Sequence, residues 1–299
     1  MTNSFRASDG TTLQYRRWTP TDRPPRATVL ALHGIQSHGG WYLRSSQRLA
    51  DAGFEVTFLD RRGSGLSTSL RGHALHADRL INDVAHAARA IRMERGPECP
   101  LILMGVSWGG KLALASALAF PKLFDATALL YPGLCPFVRP TWYQHWRLWW
   151  AQAVGWGHVR VAIPLNDPAL FTDTPQWREF IRRDELALHR VTVDFLAANL
   201  DLNQRLETQL ERVQGNALLM LAGRDAIIDN NATRALFARM TSAQRTVIEY
   251  PAARHTLEFE PDPEPFFQDL IAWMESLPGV ASEASSPRSI RPAPPLVTR

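Results

Sequence analysis

Short apolar runs alternate with helical patterns along most of the chain. Near-continuous apolar runs of four to six residues are typical of the central strands of a mostly parallel sheet that is covered on both faces. Between several of these runs, apolar positions recur at helical spacing, as they do from Leu80 to Ile91. The alternation predicts an α/β fold with a mostly parallel, doubly wound sheet. The predicted strands are residues 27–32, 54–59, 101–104, 126–131, 217–222 and 245–250, and further predicted helices are residues 108–120 and 265–276.

This alternation stops between about residues 134 and 211. The stretch contains no strong strand pattern and is rich in tryptophan, arginine and helix-forming residues. We therefore predict a helical cap, residues 134–211, inserted into a core of residues 1–133 and 212–280. The tail, residues 281–299, is rich in serine, proline and arginine and lacks periodic apolar positions, so we expect it to be disordered.

Composition narrows the class of protein. The 299 residues are 45% hydrophobic, which is enough for one large core. The net charge of +4 comes from scattered arginines, so no nucleic-acid-binding face is expected. Two cysteines make neither a disulfide framework nor a zinc site. The chain shows no secretory signal and no run of 18 apolar residues, which predicts a cytoplasmic protein.

A Gly-x-Ser-x-Gly motif carries the first sign of chemistry. Its serine, Ser107, lies between the predicted strand 101–104 and the predicted helix 108–120. In that place the motif predicts a sharp turn that lifts the serine hydroxyl above the sheet as a nucleophile. A side chain at Gly105 or Gly109 would clash with the neighbouring strand or helix. The alternative is an ordinary glycine-rich connection, which the strand-to-helix context makes the weaker interpretation.

A nucleophilic serine needs a base, and the base needs a carboxylate to orient it. Of nine histidines, His255 stands just after the last predicted strand, where a loop can overhang Ser107. Asp225 and Asp229 both follow the predicted strand 217–222. Asp229 could instead cap the next helix. We favour Asp225 because it is nearer the strand end, where the acid of such sites is found.

Two backbone N–H groups are candidates for an oxyanion hole. The N–H of Trp108 directly follows Ser107, and the N–H of Ile35 lies in the loop after the predicted strand 27–32. His33 in the same loop is expected to support it rather than to react.

Several blocks of sequence are shared with one known family. They are the segment HGIQSHGGWY at residues 33–42, the segment DRRGSGLS at 60–67, the paired Gly109 and Gly110, and the segment HTLEFE at 255–260. The chain resembles the monoglyceride lipase and lysophospholipase branch of the α/β-hydrolases. The resemblance implies the α/β-hydrolase fold with an inserted helical cap, and a serine hydrolase of carboxylic esters such as monoacylglycerols or lysophospholipids, without a cofactor or metal.

The resemblance is incomplete at two positions beside the nucleophile. Val106 stands where the family commonly has a larger residue, and Trp108 replaces a frequent methionine. Acyl-chain preference is therefore not carried over. A carbon–carbon hydrolase, an aminopeptidase or a perhydrolase could use the same three residues, and a ligand-binding scaffold with little turnover is an alternative of another class.

One segment of the predicted cap carries four tryptophans at residues 142, 146, 149 and 150. Offsets of four, seven and eight place them on one face of a helix. Such a stripe usually packs against a core, which is our first expectation. The alternative is contact with the substrate or a lipid surface.

Overall fold

The central sheet is covered by helices on both faces. The computed structural model describes residues 2–67, 70–138, 142–241 and 244–280, and only the backbone of residues 142–145 and 147. The strand order is β1-β2-β4-β3-β5-β6-β9-β10. Within this sheet, as far as the structure describes it, the pairings of β2 with β1 and with β4 are antiparallel and the other pairings are parallel. The strands are β1 (Thr2–Arg6), β2 (Thr12–Trp18), β3 (Ala27–Leu32), β4 (Phe54–Leu59), β5 (Leu101–Val106), β6 (Ala126–Leu130), β9 (Asn216–Ala222) and β10 (Arg245–Tyr250).

Alternate side chains of the strands enter two apolar cores, one on each face of the sheet. In β3, Val29 and Ala31 face one core while Leu30 and Leu32 face the other, as the period of two requires. Among the longer helices, one face is covered by α2 (Ala77–Arg95), α3 (Trp108–Ala119), α6 (Val193–Gln209) and α7 (Asn230–Ala238); the other is covered by α1 (Leu43–Asp51), α5 (Pro175–Arg183) and α8 (Glu264–Glu275).

The predicted doubly wound α/β architecture is confirmed, because every predicted strand and helix is present within one or two residues at most ends. The strands β1 and β2 were not predicted. They form an antiparallel edge whose residues are mostly exposed or half-buried, so they lack the apolar runs that mark the central strands.

The segment between β6 and β9 contains more than helices. Besides α4 (Trp142–Ala153), α5 and α6, it forms two short antiparallel strands, β7 (Arg160–Ala162) and β8 (Arg190–Thr192). The sequence analysis did not predict these two strands. Strands of three residues are too short to produce a recognisable pattern, and the side chains of β7 are exposed. The division into a core and a cap at residues 134 and 211 stays a prediction.

The predicted disordered tail, residues 281–299, lies outside the described residues. Within the described ranges, no helix is both long and apolar enough to cross a membrane.

Candidate active site

Ser107 occupies a strained turn between β5 and α3. Its backbone angles are φ 50° and ψ −122°, a combination that non-glycine residues rarely adopt and that clusters at functional sites. Three backbone hydrogen bonds hold the residue there, one of them from the Gly110 N–H to the Ser107 carbonyl at 2.9 Å. The Ser107 N–H donates to the Leu130 carbonyl at 3.0 Å, and the Gly133 N–H donates to the Ser107 carbonyl at 2.6 Å. Hydrogen bonds with neighbouring segments therefore keep the turn in its strained conformation.

The two glycines of the motif are required for close packing. A Cβ atom at Gly105 would lie 2.5 Å from the Cα of Gly110, and one at Gly109 would lie 2.3 Å from the carbonyl oxygen of Leu32. Both contacts are with backbone, which cannot rotate away. The predicted clash of any side chain with the neighbouring strand or helix is confirmed.

The structure brings Ser107, His255 and Asp225 together in one chain of hydrogen bonds. The Ser107 Oγ lies 2.9 Å from His255 Nε2, and His255 Nδ1 lies 2.7 Å from Asp225 Oδ2. The His255 and Asp225 side chains are each only 1% exposed. Because an ionised carboxylate only accepts hydrogen bonds, Nδ1 carries the proton and Nε2 is left to accept from the serine.

The loop after β9 fixes the Asp225 carboxylate. Its second oxygen, Oδ1, accepts from the N–H groups of Ile227 at 2.8 Å and Ile228 at 3.0 Å. Asp229, the alternative acid, accepts at Oδ1 from the Ala232 N–H at 2.9 Å and so caps α7. The Asp225 carboxylate therefore contacts the histidine, whereas that of Asp229 caps a helix. The assignment of Asp225 as the catalytic acid stays a prediction.

Two aromatic side chains that the sequence did not point to enclose His255. The ring centroids of Tyr131 and Phe171 lie 5.0 Å and 5.9 Å from that of His255, both edge-on. Tyr131 was expected to end the strand 126–131. It instead leaves the strand at φ 37°, and its N–H donates to the Met220 carbonyl at 2.7 Å. The only sequence signal for this role was an aromatic residue directly after a buried strand.

The residues of the two predicted oxyanion donors are both neighbours of the nucleophile. Ile35 and Ser107 line the same cavity, and Trp108 begins α3 without a side-chain cap on its N-terminus. Neither N–H group has an acceptor among the residues that the structure describes. Both are therefore left for a bound group. The assignment of these two donors stays a prediction.

His33 supports the loop that carries Ile35. Its Nδ1–H donates to the Gly34 carbonyl at 2.8 Å, and its Nε2 accepts from the Arg61 N–H at 3.1 Å. Burial lowers the pKa of His33 to about 3, so the ring is neutral and can both donate and accept. The contacts agree with the supporting role expected of this histidine.

The cavity beside Ser107 is small and is lined in part by aromatic side chains. Its volume is about 10 Å³, room for about one water molecule. No carboxylate is among its lining residues, which are Gly34, Ile35, Gln36, Ser37, Trp41, Tyr42, Ser107, Tyr131, Leu165, Phe171, His255 and Thr256. Across the described part of the chain, no group of three or more acidic, cysteine or histidine side chains could hold a metal ion.

Asp184, from the predicted cap, forms hydrogen bonds with the segment that follows Ile35. Its Oδ2 lies 3.0 Å from His38 Nε2 and accepts from the Trp41 Nε1–H at 2.6 Å. Burial by itself raises the pKa of Asp184, but the hydrogen bonds from His38 and Trp41 outweigh it and hold the pKa below its ordinary value. We call these three side chains the cap latch.

Two buried acids of the family-like segments serve the framework. Asp60 accepts from the Gly39 N–H at 2.7 Å and from the Leu66 N–H at 2.9 Å, so it ties residues 33–42 to residues 60–67. Glu258 accepts from the N–H groups of Arg44 and Ser45 at the start of α1. Burial raises the pKa of Glu258 to about 7.

Together these features define a class of protein. A strained serine between β5 and α3, an aspartate after β9 and a histidine after β10, in that chain order on a mostly parallel sheet, are the marks of the α/β-hydrolase fold. A model of the family described as "Serine aminopeptidase, S33" matches residues 23–262. The chain belongs to this family.

Curated relatives and solved structures narrow the branch. A monoacylglycerol lipase of Mycolicibacterium smegmatis is 26% identical over 279 residues, covering 92% of this chain and 96% of the relative. A monoglyceride lipase of Homo sapiens is 23% identical over 283 residues, covering 94% and 92%. The crystal structure of a soluble variant of monoglyceride lipase from Saccharomyces cerevisiae, in complex with a substrate analog, has a TM-score of 0.79 at 21% identity, covering 94% of this chain and 96% of that one.

These findings confirm the predicted branch of the α/β-hydrolases and the predicted class of enzyme, a carboxylic ester hydrolase.

Proposed function

We propose that this protein hydrolyses monoacylglycerol-like lipid esters through an acyl-enzyme on Ser107. The single observation that carries the proposal is the hydrogen-bonded chain from Asp225 through His255 to the Ser107 hydroxyl. A serine hydroxyl is a weak nucleophile, and a buried, correctly oriented imidazole is what activates it.

In the proposed mechanism, His255 Nε2 takes the proton from Ser107 as the serine oxygen attacks the ester carbonyl. Asp225 holds the imidazole in the useful tautomer and stabilises the imidazolium. The N–H groups of Ile35 and Trp108 bind the tetrahedral oxyanion. His255 then gives its proton to the departing alcohol. His255 next takes a proton from a water molecule, which attacks the acyl-enzyme carbonyl. The histidine then returns that proton to the Ser107 oxygen as the fatty acid leaves.

The cavity favours an uncharged ester over a peptide with a free amino terminus. The family description and a relative named as a probable aminopeptidase, which is 30% identical over 158 residues, make aminopeptidase activity the second candidate. Recognition of an α-ammonium group calls for a carboxylate, and none lies among the lining residues given above. Relatives named monoacylglycerol and monoglyceride lipase support the ester.

We further propose that α4 contacts a lipid surface. The side chains of Trp146, Trp149 and Trp150 are 51%, 64% and 50% exposed, which favours the lipid-contact alternative over packing against the core for these three. The side chain of Trp142 lies outside the described residues. Tryptophan is favoured where one surface is apolar and the other is wet.

Substrate profiling tests this proposal. Wild-type protein is assayed with monoacylglycerols of graded chain length, with p-nitrophenyl esters and with amino-acid p-nitroanilides. We expect turnover of both kinds of ester and none of the anilides above the level of the Ser107→Ala variant. Anilide turnover that exceeds ester turnover would replace the lipase proposal with the aminopeptidase one.

A further inference from the structure

Two adjacent arginines of the segment at residues 60–67 have opposite surroundings. The Arg62 guanidinium bonds to the carboxylates of Asp83 at 2.7 Å and Asp9 at 2.9 Å. Arg61 is only 3% exposed and bonds to no carboxylate in the described residues. The carboxylate of Asp60 attracts it through space but is itself bound by Arg16 and two backbone N–H groups.

Arg61 instead contacts both sides of the predicted oxyanion hole. Its Nη2–H donates to the Ile35 carbonyl at 2.6 Å. The centre of the guanidinium lies 5.0 Å from the ring centroid of Trp108 and 4.9 Å from that of Phe195 in α6. Both distances are within the range of cation–π attraction. One side chain therefore touches the residues that supply both candidate donors.

This arrangement is expensive for the fold. A buried guanidinium loses its hydration, and the loss is normally offset by a hydrogen-bonded carboxylate. Arg61 has no such partner, and its Nε and Nη1 atoms are buried without any hydrogen bond in the described structure. Burial lowers the pKa of Arg61 to about 9, so the group still carries its charge at neutral pH. An unpaired buried charge of this kind calls for a reason other than stability.

We propose that Arg61 is a positioning residue for the oxyanion hole. It holds the carbonyl end of Ile35, the residue whose N–H is one candidate donor, at a fixed separation from the Trp108 ring, and it places a positive charge near both donor residues. The inference rests on the proposed roles of these two N–H groups. Donors must lie about 2.7–3.1 Å from the developing oxyanion, and a misplacement of about 1 Å can lower the rate about a hundredfold. A residue fixing both donors therefore affects the transition state more than the bound substrate.

The neighbouring arginine supplies a matched control. Arg61→Met and Arg62→Met remove the same charge from adjacent positions. We expect Arg61→Met to lower kcat for p-nitrophenyl acetate by about 10- to 100-fold, with KM within about threefold of wild type. Arg62→Met, which breaks two ion pairs outside the cavity, should lower the melting temperature at least as much but leave kcat within about twofold.

A transition-state analogue separates positioning from general damage. A short-chain trifluoromethyl ketone accepts the Ser107 oxygen and forms a tetrahedral oxyanion. In Arg61→Met its inhibition constant should rise by the same factor as kcat/KM falls. If that variant does not fold, Arg61→Lys keeps the charge without the planar fork, and we expect a fall of about 3- to 10-fold in kcat with unchanged KM.

The inference is overturned if the folded Arg61 variants keep wild-type kcat, if the ketone binds them as tightly as wild type, or if Arg62→Met loses as much kcat as Arg61→Met. A wild-type protein that hydrolyses no ester would instead refute the proposed function. The two failures are therefore distinguishable in one set of assays.

Discussion

Two regions of the chain differ in how far their side chains are buried. The first comprises the loops that carry Ser107, Asp225 and His255, and the second is the exposed face of α4. In the first region the two side chains that orient the serine are 1% exposed, and backbone hydrogen bonds fix the loops. In the second, three tryptophans are half exposed or more. The difference teaches that the groups of the proposed chemistry are buried and held by hydrogen bonds, whereas the surface proposed to meet the lipid is apolar and open to solvent.

The largest test of this comparison removes the nucleophile. Ser107→Ala should fold as the wild type does, because the substitution deletes one oxygen, and should lose about a millionfold in ester turnover. Turnover of p-nitrophenyl butyrate and the melting temperature check both statements. Activity within tenfold of wild type would place the chemistry elsewhere.

The second test compares two aspartates four residues apart. Asp225→Asn should lower kcat about 10⁴-fold, because an amide does not hold the His255 tautomer as a carboxylate does. Asp229→Asn keeps a good helix cap and should change kcat by less than about threefold. Steady-state kinetics of both variants decide the assignment, and the reverse ranking would make Asp229 the acid.

The third test addresses the exposed face of α4. Trp146 and Trp150 have ring centroids 6.4 Å apart, and replacing both by alanine should reduce turnover of long-chain monoacylglycerol in vesicles by roughly tenfold through lost apolar contact. Hydrolysis of p-nitrophenyl acetate should stay within about twofold. Met93→Ala, at a side chain on α2 that is 88% exposed, is the control. Equal losses on both substrates, with a lower melting temperature, would show that the tryptophans pack the cap.

The smallest expected effect concerns the cap latch, which joins the predicted cap to the segment after β3. Asp184→Ala leaves His38 and Trp41 without their acceptor and should destabilise the fold by about 2 kcal/mol, or roughly 4–8 °C in melting temperature. Asp201→Ala removes an exposed pair with Arg205 and should cost less than about 1 kcal/mol. Calorimetry of the two variants compares them. Equal shifts would mean that the latch contributes no more than a surface pair.

Local sequence pattern was sufficient to predict the central strands and to choose three residues after them that the fold brings within hydrogen-bonding distance. Buried strands need continuous apolar runs, and a serine on a strained turn needs glycines, so both leave marks in the sequence. Asp225 could be preferred over Asp229 because distance from a strand end limits which side chain reaches His255.

Contacts between segments that are distant in the chain could not be predicted from local sequence pattern. The latch joins Asp184 to His38, 146 positions away, and no local period encodes that pairing. The sequence pattern predicted Tyr131 to be the last residue of a strand. Its positive φ and its contact with the His255 ring are not encoded in the preference of tyrosine for strands. Arg61 and Arg62 are adjacent residues of the same type, and only the surrounding fold gives Arg62 two carboxylate partners and leaves Arg61 a buried cation without one in the described residues.

The most direct measurement of the central claim is mass spectrometry of the protein after reaction with a fluorophosphonate probe. We predict one adduct, on the peptide that contains Ser107, with labelling abolished in Ser107→Ala and slowed at least about a hundredfold in His255→Ala. An adduct on another residue, or equal labelling of wild type and Ser107→Ala, would contradict the assignment of Ser107 as the nucleophile.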